Sequence, residues 1–291
     1  MKAIIFGSNG QDGFYLNQLL LQNEISVICV SRKNAAIFGD VSNYSFVEGL
    51  IKREQPNFIF HLAANSSARH SLLFENHATI ETGTLNILES VKLHCTHSKV
   101  FISGSALQFK NTGQRINEHT EFEASSPYAL ARIQSTYAAR YYRNAFGLKV
   151  YVGYFFNHDS PLRTEQHVNQ KIVKAVQRIA NGSEEKLTLG NIDVKKEFNY
   201  AGDIVEAIWK LVNQNNIFEA VIGCSKAFSI KEWVVTCFKL KDLDWKSYVE
   251  IQNDFVPEYN VLVSDATLLK SIGWQPKTDF YQLAKIMMED E

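Results

Sequence analysis

The first half of the chain alternates short apolar runs with longer amphipathic stretches, and this alternation restricts the fold most strongly. The apolar runs Ala3 to Phe6, Ser26 to Val30 and Phe58 to Leu62 are typical of buried strands. Between them, Phe14 to Gln22 and Ser45 to Arg53 have the apolar spacing of helices. Apolar strands that alternate with helices indicate a parallel sheet covered on both faces. We therefore predict an α/β fold with a doubly wound parallel sheet.

The alternation continues to about residue 161 and then becomes irregular. It includes two more predicted helices and two more predicted strands: Thr79 to Leu93, Tyr128 to Phe146, Lys99 to Ser103, and Val150 to Phe156. Shorter elements and loops predominate after that point. We therefore predict one large domain at residues 1–161 and a smaller lobe at residues 162–291, with later segments returning to the large domain.

The charge balance excludes several classes of protein. The 291 residues include 30 Lys and Arg and 31 Asp and Glu, so the formal net charge is −1. No nucleic-acid partner is expected, because such a partner requires a basic surface. No apolar run reaches the roughly 20 residues of a membrane-spanning helix, and the first strand begins too early for a signal peptide. We expect a cytoplasmic protein that does not bind membranes.

Cysteine usage argues against both disulfides and a metal site. The chain has four scattered cysteines and no C-x-x-C pair, which is typical of reduced thiols in a core. The segment His94-Cys95-Thr96-His97 contains metal-ligating residue types, but no second cluster completes a site. We predict no metal there, and a polar helix end instead.

A glycine-rich turn lies between the first strand and the first helix. Gly7, Gly10 and Gly13 form a G-x-x-G-x-x-G pattern. Glycines in this position let backbone N–H groups approach a pyrophosphate, and the helix N-terminus adds a favourable dipole. A purely structural turn is the alternative. We predict that residues 1–161 form a dinucleotide-binding Rossmann domain, with cofactor contacts in the turn at Gly7, Asn9, Gly10, Gln11, Asp12 and Gly13.

The end of the second strand indicates which dinucleotide binds. NAD enzymes typically place an acidic residue there to hold the ribose 2′-hydroxyl, but this chain has Ser31-Arg32-Lys33. A hydroxyl and two cations suit a 2′-phosphate, so we predict NADP(H), bound by Ser31 and Arg32. NAD(H) is the alternative cofactor, and ordinary solvated loop charges are the alternative explanation. Further cofactor contacts are predicted at Asp40, Leu62, Ala63 and Ala64.

Three residues are candidates for proton transfer. Tyr128 and Arg132 are four residues apart and share one face of a predicted helix. Ser105 follows the predicted strand Lys99 to Ser103. A cation near a phenol favours the phenolate, and a hydroxyl can hydrogen-bond the reacting oxygen. Tyr128 and Arg132 are also predicted to contact the cofactor.

These motifs resemble those of a known family. The sequence is similar to the extended short-chain dehydrogenase/reductases, the NAD-dependent epimerase/dehydratase family, and within them to the GDP-mannose 4,6-dehydratase branch. The resemblance covers nearly the whole chain. It is carried by Gly7 to Leu16, Gly39-Asp40, His61 to Asn65, Ser126 to Ala129, Phe156 to Pro161 with Arg163, Leu189 to Asp193, Asp203 to Trp209, and Gly273 to Pro276.

The resemblance implies a nicotinamide cofactor and a nucleotide-diphosphate sugar, with a GDP-linked sugar favoured. It implies that the sugar binds between the Rossmann domain and a smaller C-terminal α/β substrate lobe at residues 162–291. It aligns Ser105 and Tyr128 with the catalytic hydroxyl and tyrosine of the family. It also implies contacts with sugar or nucleotide at Asn157, Val168, Lys171 and Lys196, the last in place of the usual arginine.

The sequence departs from the family at three positions. The family's glutamate, two residues after the catalytic hydroxyl, drives water elimination, whereas this chain has Leu107 there and Ala106 before it. Leucine cannot transfer a proton. Arg132 replaces a lysine, and Phe255 replaces an arginine that grips the nucleotide. Losing that arginine removes charge-assisted hydrogen bonds to phosphate.

We therefore predict an NADP(H)-dependent enzyme that modifies a nucleotide sugar, specifically a 4-keto-6-deoxy sugar reductase or an epimerase. The first alternative is a GDP-mannose 4,6-dehydratase-type lyase, with its acid/base group supplied from elsewhere. The second is an inactive NADP(H)-binding sensor or scaffold. The resemblance also implies a homodimer that pairs the helices Thr79 to Leu93 and Tyr128 to Phe146.

Overall fold

The computed structural model describes residues 1–252 and 254–289. A seven-stranded parallel sheet forms its centre, with the strand order β11-β6-β5-β4-β1-β2-β3. Its strands are β1 (Lys2–Phe6), β2 (Ser26–Ser31), β3 (Ile37–Phe38), β4 (Phe58–His61), β5 (Lys99–Ser105), β6 (Lys149–Phe155) and β11 (Glu219–Ile222). The helices along this part of the chain are α1 (Gln11–Gln22), α2 (Tyr44–Glu54), α3 (Leu73–Asn76), α4 (Gly83–His94), α5 (Pro127–Phe146) and α7 (Ala201–Val212).

Helices cover the sheet on both faces, as the apolar strands require. In β1, Ile4 and Phe6 point into the core beneath α2 and α4, while Ala3 and Ile5 point into the core beneath α1 and α7. Neighbouring residues of a strand face opposite sides of a sheet, so a strand buried on both sides must be apolar throughout. The continuous run in β1 has this cause.

The smaller lobe has its own core. Its elements are α6 (Val168–Ala180), α8 (Ile230–Lys239), α10 (Phe280–Met288) and the short strands β7 (His158–Asp159), β8 (Leu187–Leu189), β9 (Lys195–Glu197), β10 (Asn199–Tyr200), β12 (Ala227–Ser229), β13 (Val249–Ile251) and β14 (Val261–Leu262). The short helix α9 (Thr267–Ser271) packs instead on β11 of the large sheet, with Leu269 in the core beneath α1 and α7. Trp233 is fully buried where α6, α8 and α10 meet, with its ring stacked on Phe198 at 5.0 Å between centroids. This separate core explains why the sequence pattern changes near residue 161.

One predicted helix differs in detail from the sequence pattern. The helix expected over Thr79 to Leu93 is not uniform, because His77–Thr82 forms a π-helix before α4 begins at Gly83. Residues 201–222 return to the large sheet, where α7 packs on α1 and β11 pairs with β6. Within the described ranges, no helix has both the length and the apolar character needed to cross a bilayer.

Candidate active site

The glycine turn after β1 is built by close backbone packing. Gly7 has a φ of 91°, and a Cβ there would lie 2.5 Å from the backbone nitrogen of Ala63. A Cβ on Gly13 would lie 2.4 Å from the carbonyl oxygen of Gly7. Both positions therefore require glycine so that β1, α1 and the end of β4 can approach one another.

Gly10 differs from the other two glycines of the turn. A Cβ there would meet one neighbouring atom within 4 Å, the carbonyl oxygen of Gly7 at 3.6 Å. Gly10 is also the N-cap of α1, and no side chain caps that helix. The uncapped N–H groups and the missing side chain together make a cradle that fits the pyrophosphate of a dinucleotide.

One end of the cleft, here called the adenosine end, lies beside the ends of β2 and β4. Ser31, Arg32 and Asp40 line it, together with the backbone of Ala63. The Asp40 carboxylate accepts hydrogen bonds from the backbone N–H and the hydroxyl of Ser42, at 2.9 and 2.8 Å. The adenosine end therefore combines glycine and alanine residues with the charged side chains of Arg32 and Asp40.

Arg32 and Asn9 have partners of their own at the adenosine end. The Arg32 guanidinium pairs with the Glu75 carboxylate of α3 at 3.2 Å. The side-chain amide of Asn9 donates to the carbonyl oxygen of Lys33. Asn9 thereby joins the glycine turn to the segment that follows β2.

The other end of the cleft, here called the reaction end, brings the three proton-transfer candidates together. Ser105, Tyr128 and Arg132 all line it. Tyr128 begins the first turn of α5, where the Ser126 hydroxyl caps the helix by accepting from the N–H of Ala129 at 3.1 Å. The Ser105 hydroxyl oxygen accepts from the N–H of Leu107 at 3.2 Å, so its own proton is available to another group.

Arg132 is anchored to the end of β5. It is 4% exposed, and its Nη1 donates to the hydroxyl of Ser103 at 2.8 Å and also to the Ser103 carbonyl oxygen. Its guanidinium carbon lies 5.1 Å from the centroid of the Tyr128 ring. The arginine therefore stacks on the tyrosine ring while strand β5 holds it in place.

His61 lies behind Arg132 and is fully buried. Burial and the nearby Arg132 guanidinium lower the pKa of His61 to about 4. One ring nitrogen of His61 lies 3.3 Å from the carbonyl oxygen of Ile80. His61 is thus neutral at pH 7, which leaves Arg132 as the cation beside Tyr128.

Gln11 and Asp12 of the glycine turn use their side chains for contacts within the protein. The Asp12 carboxylate lies 2.9 Å from Nε2 of His158, and the Gln11 amide donates to the His158 carbonyl oxygen at 3.2 Å and accepts from Ser160 at 2.9 Å. Burial alone would raise the pKa of Asp12 and lower that of His158, but their mutual attraction reverses both shifts. Nδ1 of His158 lies 2.8 Å from the carbonyl oxygen of Phe156, so both ring nitrogens face acceptors. The predicted cofactor contacts of Gln11 and Asp12 would therefore come from their backbone.

The four residues with implied substrate contacts are placed differently. Asn157 lines the reaction end and accepts from the Tyr259 hydroxyl at 3.4 Å. Val168 packs against the core of the smaller lobe, and Lys171 donates to the carbonyl oxygen of Thr188 at 2.8 Å. Lys196 is buried, and burial together with Arg163 lowers its pKa to about 8 against the opposing effect of Asp159. Of the four, Asn157 lines the cleft itself.

The reaction end also contains residues that the sequence did not single out for a role. Arg163 and His167 line it, with Nη2 of Arg163 3.3 Å from Nδ1 of His167. Burial and the Arg163 guanidinium lower the pKa of His167 to about 4, so its imidazole is neutral. In the sequence, the signal that could have identified this pair is the four-residue separation of Arg163 and His167 just before α6.

Of the departures from the family pattern, Leu107 lies in the cleft, whereas Phe255 is not among the residues that line it. Ala106 and Leu107 line the reaction end, and neither carries an ionisable group. Phe255 is 51% exposed, and its ring covers Gly190, where a Cβ would lie 2.5 Å from the ring. Within the described ranges, no group of three or more His, Cys, Asp or Glu side chains is arranged to hold a metal ion.

Comparison of the sequence with known proteins gives a consistent result. Residues 4–287 match the family model described as GDP-mannose 4,6 dehydratase. GDP-mannose 4,6 dehydratase 1 of Arabidopsis thaliana is 31% identical over 321 residues, which cover 99% of this chain and 89% of that relative. The resemblance inferred from the motifs is confirmed.

Solved structures share the fold. dTDP-glucose 4,6-dehydratase (rfbB) of Bacillus anthracis, in complex with NAD, has a TM-score of 0.87 at 19% identity, covering 99% of this chain and 95% of that chain. RMD from Pseudomonas aeruginosa, complexed with NADPH, has a TM-score of 0.85 at 19% identity, covering 99% of this chain and 97% of that chain. The predicted α/β fold with a Rossmann sheet is confirmed.

Proposed function

The chain belongs to the GDP-mannose 4,6-dehydratase family of extended short-chain dehydrogenase/reductases, and from this premise we propose that it is an enzyme that uses a nicotinamide dinucleotide to transform a GDP-linked hexose. The net reaction we propose is dehydration to a 4-keto-6-deoxy sugar: the C4 hydroxyl becomes a ketone, the C6 hydroxyl leaves as water with the C5 proton, the hydrogen removed from C4 ends on C6, and C5 takes up a proton again. The acid/base group for the loss of water would be a residue other than Ala106 and Leu107. The relatives favour this reaction over the reductase or epimerase that the sequence alone suggested, for which they give no specific support.

The observation that carries this proposal is that the glycine turn and the proton-transfer residues share one cleft. Gly10, Leu62 and Ala64 line both the adenosine end and the reaction end. A dinucleotide with its pyrophosphate at Gly10 would extend from Arg32 at one end to Tyr128 at the other. This arrangement supports chemistry on a sugar held beside Tyr128 and Ser105.

We assign the following roles to the residues of the reaction end. A bound nicotinamide dinucleotide supplies reversible hydride transfer. Tyr128 removes the proton of the sugar C4 hydroxyl, and the Ser105 hydroxyl donates to the oxygen as charge develops on it. Arg132, stacked on the ring and fixed to Ser103, stabilises the phenolate that this step requires.

Positive charge near Asn157 supports a diphosphate-linked substrate. Arg163 lines the reaction end, and Lys196 lies close enough to influence His167 in the same wall. Two carboxylates face these cations: Asp159, at 3.8 Å from Arg163, and Asp12, whose pKa Arg163 and Arg132 help to lower. Arg132, Arg163 and Lys196 together outnumber the two carboxylates, which favours an anionic ligand.

A substrate assay tests the proposed reaction. The protein is incubated with GDP-mannose and a catalytic amount of NADP+ or NAD+, and the products are separated by anion-exchange chromatography and identified by mass. We expect a 4-keto-6-deoxy product with the wild type and none with Tyr128→Phe. No product with either cofactor, while the dinucleotide binds, would contradict the proposed dehydration.

Reduction of a 4-keto-6-deoxy sugar is the second candidate, and a specific observation favours it. Elimination of water across C5 and C6 needs a proton-transfer group, and Ala106 and Leu107 supply none. Reduction needs the hydride and the Tyr128 proton alone. Stoichiometric consumption of NADPH with GDP-4-keto-6-deoxymannose, and no conversion of GDP-mannose, would establish this alternative. Tight dinucleotide binding without turnover of either sugar would establish an inactive binding protein.

We propose NADP(H) as the cofactor and a homodimer as the assembly. Ser31 and Arg32 at the adenosine end support a 2′-phosphate. Exposed apolar side chains on α4 and α5 support a helical interface between two copies: Leu85, Leu93, Leu130, Tyr137, Tyr141 and Phe146. Light scattering tests the dimer, and a monomeric mass at working concentration would refute it.

A further inference from the structure

The Glu75 carboxylate lies 3.2 Å from the guanidinium of Arg32, which lines the adenosine end of the cleft. We propose that Glu75 weakens the preference for NADP(H) that Ser31 and Arg32 provide, by occupying Arg32 and repelling a 2′-phosphate. The inference rests on the proposed binding of a nicotinamide dinucleotide. It concerns the phosphate that distinguishes NADP(H) from NAD(H).

Two separate segments meet at this point of the cleft. Arg32 directly follows β2 and lines the adenosine end. Glu75 is in α3, 43 positions later in the chain, and its Oε1 lies 3.2 Å from Nη2 of Arg32. The end of β2 has no acidic residue of its own. The fold therefore supplies from α3 the carboxylate that the sequence lacks at β2.

The local structure fixes the position of Glu75. Its neighbour Asn76 is fully buried, and the Asn76 amide donates to the carbonyl oxygen of Ser67 at 3.1 Å. The π-helix His77–Thr82 follows directly. A carboxylate on a segment held this way stays beside Arg32, because its backbone cannot move away without breaking these contacts.

The pair can exchange partners without cost to the fold. The side chains of Arg32 and Glu75 are 55% and 36% exposed, and exposed ion pairs add little to stability. Arg32 can therefore leave Glu75 for a phosphate, to which a guanidinium binds well. The phosphate would carry up to two negative charges beside the remaining carboxylate, and this repulsion opposes NADP(H) binding. A ribose 2′-hydroxyl can instead donate to the same carboxylate, which narrows the difference in affinity between NADP(H) and NAD(H).

The test compares dissociation constants for NADP+ and NAD+ by isothermal titration calorimetry, at low and moderate salt. Glu75→Gln keeps the shape of the side chain and removes its charge. We expect the affinity ratio to shift toward NADP+ by roughly 5- to 10-fold at low salt and by less at moderate salt, because salt screens exposed charges. The control is Glu81→Gln, which removes a carboxylate that pairs with His77 in the π-helix. We expect no change in the ratio for the control.

A double substitution tests whether Glu75 acts through Arg32. Arg32→Gln should weaken NADP+ relative to NAD+, and Glu75→Gln should then have a smaller effect on the ratio than in the wild type. An unchanged ratio in Glu75→Gln, or an equal shift in Glu81→Gln, would overturn the inference. Wild-type protein that binds neither dinucleotide would overturn the proposed function as well, so the two failures are distinguishable.

Discussion

The two ends of the cleft are lined by different types of residue. Glycine and alanine residues, among them Gly7, Gly10 and Ala63, line much of the adenosine end, beside the charged side chains of Arg32 and Asp40. The reaction end is formed by ionisable and hydrogen-bonding side chains, among them Tyr128 and Arg132. A site recognised by the backbone tolerates few substitutions, because any side chain at its glycines would fill the space that the ligand or the neighbouring backbone needs. Side-chain recognition can be changed one residue at a time.

This difference explains where the sequence departs from its family. The glycine pattern is complete, whereas Leu107 and Arg132 at the reaction end differ from the family pattern. The scaffold that holds a dinucleotide can therefore remain while the reaction changes. The comparison predicts that substitutions at the reaction end affect turnover and that substitutions in the glycine turn affect binding or folding.

The largest effect is expected for Tyr128→Phe. It removes the hydroxyl that we assign as the proton acceptor, so kcat should fall by about 10³-fold, in the range typical of general base catalysis. Dinucleotide affinity should change little, because the ring that contacts Arg132 remains. Steady-state kinetics and calorimetric titration measure the two quantities. A loss of dinucleotide affinity as large as the loss of kcat would show that the reaction end also determines cofactor binding.

Two glycine substitutions sharpen the comparison within the turn. Gly10→Ala should weaken dinucleotide binding by roughly 10- to 100-fold, because the methyl group would fill the cradle, while the free energy of unfolding changes by less than about 1 kcal/mol. Gly7→Ala should lower that free energy by about 3 kcal/mol, because its Cβ would collide with the Ala63 backbone. Urea unfolding and titration with NADP+ distinguish the two. Equal destabilisation by both would contradict the geometry of the turn.

Substitutions of Arg132 test whether the reaction end of the wild-type protein is catalytically active. Arg132→Lys loses the forked contact with Ser103 but keeps the charge, so kcat should fall by about tenfold. Arg132→Met removes the charge as well and should lower kcat further. Activity that appears in the lysine variant and is absent from the wild type would instead indicate a retired active site.

The smallest effect is expected for Asp12→Asn, which breaks the ion pair with His158. The raised pKa of His158 stabilises the fold below its ordinary value of 6.5, and this contribution is lost as pH rises through the higher folded value. The lowered pKa of Asp12 stabilises the fold above its ordinary value of 3.8, and this contribution is lost as pH falls through the lower folded value.

The variant should therefore be less stable than the wild type by about 1 kcal/mol near pH 5.5, with a smaller difference near pH 8.5. Urea unfolding at the two pH values measures this difference. A difference that does not depend on pH would show that His158 is not charged in the folded protein.

Much of the fold could be predicted because its determinants are local. The continuous apolar run in β1 requires burial on both faces, and the spacing of the glycines requires a tight turn before α1. The loss of alternation near residue 161 is the signal on which the predicted division into two domains rests. The π-helix at His77–Thr82, which packs against α5, could not be predicted, because the apolar spacing of Thr79 to Leu93 indicates one uniform helix.

The sequence alone determined the α/β class, the glycine turn and the pairing of Tyr128 with Arg132, because each depends on residues that are close together in the chain. Tertiary structure alone decided the contacts between distant segments. It joined Asp12 to His158 across 146 positions and Arg32 to Glu75 across 43. A charge acts over a few ångströms in space, whatever the separation along the chain, so only the folded protein decides which charges meet.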